Sequence, residues 1–124
     1  MERLFFSIGC TFGFLAVALG AFAAHALKAR LSPELLATFE VGVRYQLVHA
    51  LALLAVAWAH TRWPNQGVSA SGWLFIIGTL LFSGSLYALS LSGVRGLGIV
   101  TPIGGIALLA GWLCLLWAPW RRTP

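Results

Sequence analysis

Charge is what this chain has least of. Its 124 residues include three acidic side chains and eight Lys or Arg, so charged residues make up 9% of the sequence. A soluble domain is about a quarter charged, so a water-solvated surface all round is excluded. Cysteine is scarce too. Cys10 and Cys114 both fall inside long apolar runs, at no metal or disulfide spacing, and read as small buried apolar residues. The net charge of +5 is spread thinly, with no more than two basic residues adjacent, which describes membrane flanks rather than a nucleic-acid surface. No P-loop or dinucleotide fingerprint is present. Ser83 and Ser90 have no evident His–Asp partners for a hydrolase triad.

What remains is apolar: 60% of the chain is hydrophobic. A helix needs about 20 apolar residues to cross the hydrocarbon, and four runs qualify: Leu4–Leu27, Val41–His60, Gly72–Leu91 and Leu97–Ala118. Inside lipid every backbone group must be satisfied within its own span, so helices are the solution. The expected fold is therefore all-α. It is one domain over residues 1–124, an integral membrane bundle of four transmembrane helices with an amphipathic or interfacial extension before the second.

The N-terminal run ends in Ala21-Phe22-Ala23, which imitates a signal-peptidase site. Glu2 cancels the basic flank that a signal peptide needs, so the segment is expected to stay as the first span. Its Gly9, Gly13, Ala16, Gly20 and Ala24 recur every three or four residues. Small residues at that spacing let helices approach closely, here inside the same bundle. Ser32-Pro33-Glu34 is a helix start: a cap, a proline at the first position and an acid in the first turn. Leu35, Leu36, Phe39 and Val43 then form an apolar stripe, which either lies at the interface or runs straight into the second span. Thr101-Pro102 either caps the fourth helix or kinks a longer one.

Four spans place both termini and Arg62 on one side. Arg3, Arg62, Arg121 and Arg122 lie there, against Lys28, Arg30, Arg44 and Arg95 on the other. Arg44 is part of a helix and has Glu40 one turn before it, so it is discounted, which leaves both termini on the cytoplasmic side by the positive-inside rule. Trp58, Trp63, Trp73, Trp117 and Trp120 form an aromatic belt on the terminal side.

The same topology gathers the polar side chains at the opposite face. His25 ends the first span, and Glu40, Arg44, Tyr45, Gln46 and His49 open the second. Tyr87 closes the third. A polar or ionisable side chain at membrane depth is a functional hypothesis by default, so these seven residues form the candidate polar site. Glu40 and Arg44 are spaced for an ion pair, and Tyr45 and His49 for a shared face on which Tyr87 is expected to converge. His25 and His49 alone do not make a metal site, which needs three or four ligands. No catalytic, cofactor-binding or metal-binding residue is assigned, and His60 is read as solvated.

Certain stretches are specific as a set. Gly20 to Leu27 (GAFAAHAL), Phe39 to Leu53 (FEVGVRYQLVHALAL), Phe82 to Tyr87 (FSGSLY) and Thr101 to Gly105 (TPIGG) resemble the domain-of-unknown-function family four hundred and twenty-three. That family gathers YgdD-like bacterial inner-membrane proteins and the small human transmembrane protein two hundred and fifty-six. The resemblance implies a four-helix protein of the bacterial inner membrane and brings no activity with it. The expected function is non-enzymatic: a bundle whose partners are the lipid bilayer and either copies of itself or a larger membrane complex. The alternative is a carrier or binding protein for a small ligand or ion, using the polar site at one membrane face. A deep, continuous polar cavity would favour the second, a filled bundle with an outer apolar groove the first.

Overall fold

The structure, a computed structural model, describes residues 1–121. Arg122, counted above among the terminal cations, lies outside the described residues. Four long α-helices follow one another: α1 (Glu2–His25), α2 (Pro33–Arg62), α3 (Gln66–Ser92) and α4 (Val100–Trp117). Short 3₁₀ turns at Leu27–Ala29, Arg95–Ile99 and Ala118–Trp120 flank them. All four are long and apolar enough to cross a membrane.

Local chemistry sets the boundaries. Ser32 caps α2 by accepting from the Leu35 amide at 3.3 Å, and Pro33 sits where its missing N–H costs nothing. From there α2 runs unbroken to Arg62. The extension before the second span is therefore the first turns of the spanning helix itself. Its 30 residues cover about 45 Å, against about 30 Å of hydrocarbon. Gly93 ends α3 in the left-handed conformation, φ 72°, which a residue without Cβ adopts freely. Thr101 is not a cap. It lies within the first turn of α4, and its hydroxyl meets Ser85 of α3 at 2.6 Å. Pro102 shares that turn, where no intrahelical bond is lost and no kink is needed.

The helices pack in chain order, α1 along α2, α2 along α3 and α3 along α4, while α1 and α4 share no comparable seam. Each seam is built from glycines. A Cβ on Gly9 would stand 3.0 Å from the Ala50 carbonyl oxygen, and one on Gly20 3.4 Å from Val43. Ala16 and Ala23 are buried on the same line, whereas Ala24 is exposed, so the small-residue stripe serves α2 and turns through Ala23. Elsewhere a ring fills the notch: Phe5 at Gly72, Tyr87 at Gly42 and Phe75 at Gly111. At Gly104 the backbones of α4 and α3 touch directly, beside Phe82 and Gly78. In lipid this close fit is the driving force, because apolar burial gives none. The outer faces of α1 and α4 remain apolar, with Phe14, Val17, Ile106 and Leu109 all exposed to acyl chains. Cys10 is also exposed on α1, so it is lipid-facing rather than buried as expected.

Candidate functional site

The polar residues of α2 divide between two sites. Gly42 and Gln46 face the α1–α3 side. Gln46 is buried, donates through Nε2 to the Phe12 carbonyl of α1 at 2.9 Å, and accepts the Tyr87 hydroxyl of α3 at 2.7 Å. One side chain thus joins three helices. Ser83 donates to the Gly42 carbonyl at 2.7 Å, and the Tyr87 ring lies 4.8 Å from Phe39. Each of these groups would be costly to leave unpaired in hydrocarbon, and the network pairs them.

Tyr45 and His49 face the other way, toward α4. His49 is buried; its Nδ1 lies 2.7 Å from the Tyr45 carbonyl oxygen and its Nε2 3.1 Å from Trp112 Nε1. An indole N–H can only donate. Nε2 must therefore accept, and the ring proton sits on Nδ1, donated to the carbonyl. The ring packs between Phe75 and Trp112, centroids 5.3 and 6.0 Å away. Tyr45 stacks on Phe82 at 4.5 Å and is 42% exposed. Its hydroxyl has no hydrogen-bond partner among the described residues.

Tyr87 therefore does not join Tyr45 and His49; it meets Gln46. Arg44 is exposed beside Tyr45, and Glu40 is exposed one turn earlier. The expected Glu40–Arg44 pair is not formed: among the described residues, ion pairs within 4 Å involve Glu2 alone, with the N-terminal amine and His60. Two exposed side chains gain little from holding one fixed geometry against water. His25 is exposed at the end of α1, with no bond to a described residue. No cluster of three or more His, Cys, Asp or Glu suited to a metal occurs among the described residues.

Two shallow grooves meet at the second site. One, about 410 Å³, is lined by Arg44, Tyr45, Val48, His49 and Trp112. The other, about 390 Å³, continues over Phe82, Ile106 and Leu109 and shares Tyr45, His49 and Trp112. Both open between α2 and α4, which α1 does not cover.

Three residues escaped the sequence reading. Trp112 is the sixth tryptophan and lies outside the belt; the signal was an indole N–H inside a span, which needs an acceptor. Asn65, the cap of α3, is buried. Its Oδ1 accepts from the Gly67 and Val68 amides at 3.0 and 3.2 Å, and its Nδ2 donates to the Ala118 carbonyl at 2.8 Å. His60 is not simply solvated; Nδ1 lies 3.7 Å from a Glu2 carboxylate oxygen and Nε2 3.4 Å from Ser69. It links α1, α2 and α3 at the terminal boundary.

Comparison with known proteins gives this architecture relatives. A UPF0382 membrane protein of Haemophilus influenzae is 42% identical over 123 residues, 98% of this chain and 97% of that one. The UPF0382 inner membrane protein YgdD of Escherichia coli is 43% identical over 104 residues, 84% and 79% of the two chains. The UPF0382 membrane protein YwdK of Bacillus subtilis is 39% identical, covering 92% and 94%. No solved structure matches. Residues 19–105, which include Gln46, Tyr87, Tyr45 and His49 but not Trp112, match the family model described as "Protein of unknown function (DUF423)"; the chain is a membrane protein and belongs to that family.

Proposed function

We propose that this protein is a non-enzymatic partner protein of the membrane, packing with copies of itself or with a larger membrane complex. The observation that supports the reading is the filled interior. Gln46, Tyr87, Ser83 and His49 bond one another or neighbouring helices, and the seams close on glycine notches. A carrier needs a continuous polar path, and the polar groups that would line one are engaged in holding helices together. The same reading puts both termini in the cytoplasm, because Arg44 stands inside α2 and the remaining cations favour the terminal side by four to three.

The test is the mass of the full-length protein extracted with its own lipids in polymer nanodiscs. Particles holding two or more copies, or a fixed ratio of this chain to a second membrane protein, are expected. Particles with a single copy and no protein partner overturn the reading. Reporter fusions at Pro124 and between Lys28 and Ser32 should report the cytoplasm and the opposite side, respectively; the reverse result inverts the orientation alone.

A further inference from the structure

We infer that the cleft between α2 and α4 binds an anionic phospholipid, with the phosphate on Arg44 and one acyl chain running over Trp112. The level of Arg44 is set by the helix. It lies sixteen residues from His60, which sits at the terminal boundary with Glu2, so it stands about 24 Å along α2. Its long side chain carries the guanidinium the rest of the way to the opposite headgroups, about 30 Å from that boundary.

The charge there is uncompensated. No described carboxylate lies within 4 Å of Arg44, since the ion pairs present involve Glu2 alone. Glu40 is the acid on the preceding turn and is itself exposed. The whole face carries Lys28, Arg30, Arg44 and Arg95 against Glu34 and Glu40, four cations to two acids, so its field favours an anion. A guanidinium binds a phosphate with paired N–H donors. The hydroxyl of Tyr45, which bonds no described residue and shares that groove, adds a donor.

Below the cation the cleft changes character in the way a lipid does. The groove from Arg44 to Trp112 is continuous with the apolar one over Phe82, Ile106 and Leu109. Its floor makes no polar demand on a chain, because both nitrogens of His49 are already occupied by Tyr45 and Trp112. A soluble anion would use the mouth and leave the groove empty; a phospholipid uses both. The inference goes beyond the partner reading and is tested separately from it, since a single-copy particle that retains the lipid overturns only the former.

The experiment is a titration of the full-length protein in neutral detergent with phosphatidylglycerol or phosphatidylcholine, read by native mass spectrometry. Phosphatidylglycerol should be retained at about tenfold lower concentration: both lipids carry the phosphate, but the choline cation of phosphatidylcholine offsets its charge beside Arg44, a difference of about one charge-assisted contact. Arg44→Gln should abolish that preference, while Arg95→Gln, on the same face but outside the groove, should keep it. Tyr45→Phe preserves the charge and removes one exposed hydroxyl; it should weaken retention about two- to threefold, which keeps the inference testable if Arg44→Gln does not fold. Phosphatidylglycerol brominated in its chains should quench the fluorescence of the native protein more than that of Trp112→Phe. Equal retention of the two lipids overturns the inference. So do equal losses in Arg44→Gln and Arg95→Gln, or quenching indifferent to Trp112.

Discussion

Tyr45 and Gln46 are adjacent in the chain and belong to different structures. Gln46 is buried and bonded to two other helices; Tyr45 is exposed, its hydroxyl bonds no described residue, and its ring lies against Phe82. One step along a helix turns about 100°, and here that step crosses from the closed α1–α2–α3 side to the open α2–α4 cleft. On the closed side polar groups are structural and a loss falls on stability. On the open side they border lipid, and a loss falls on what the cleft holds.

Substitutions along α2 can break or sharpen this contrast. The largest effect is expected from Gly42→Leu. A Cβ there already stands 2.7 Å from the Tyr87 ring, and forcing the ring out should cost about 3 kcal/mol, seen as an earlier midpoint when SDS is titrated against the folded protein. Gln46→Leu should follow at about 1–2 kcal/mol in the same titration, since two interhelical hydrogen bonds go and each averages about 0.6 kcal/mol in a membrane bundle. His49→Phe loses one interhelical bond, with an expected cost of about 1 kcal/mol or less. Its clearest sign should be local: the indole N–H resonance of Trp112 moves while those of the belt tryptophans stay. Tyr45→Phe should change stability by less than about 0.5 kcal/mol. A loss in Tyr45→Phe as large as in Gln46→Leu would erase the distinction between the two sides.

The spans were legible because charge avoids them, and the start of α2 because Ser32-Pro33 is a cap written in sequence. The division of the polar site was not. Gly42, Gln46, His49 and Tyr45 occupy an arc of about 100° on the helical wheel, which reads as one face. That arc is wide enough to touch different neighbours at its two edges, and the order in which helices flank α2 is a property of packing. Tyr87 is expected on the His49 edge of that arc and meets the Gln46 edge instead. The Glu40–Arg44 spacing was correct for a pair, but spacing on an exposed surface does not fix two long side chains against water. Trp112 was hidden by its five fellow tryptophans, whose common explanation it does not share.

Asn65 carries a consequence for how the protein is made. Its side-chain oxygen caps α3 using amides two and three residues away, so that half of the contact forms as soon as the turn is synthesised. Its amide N–H reaches Ala118, 53 positions later. Until Ala118 has been made, the buried amide has no such acceptor. A nascent chain truncated before Ala118 would hold all of α4 and still lack the clasp that ties the start of α3 to the far end of α4.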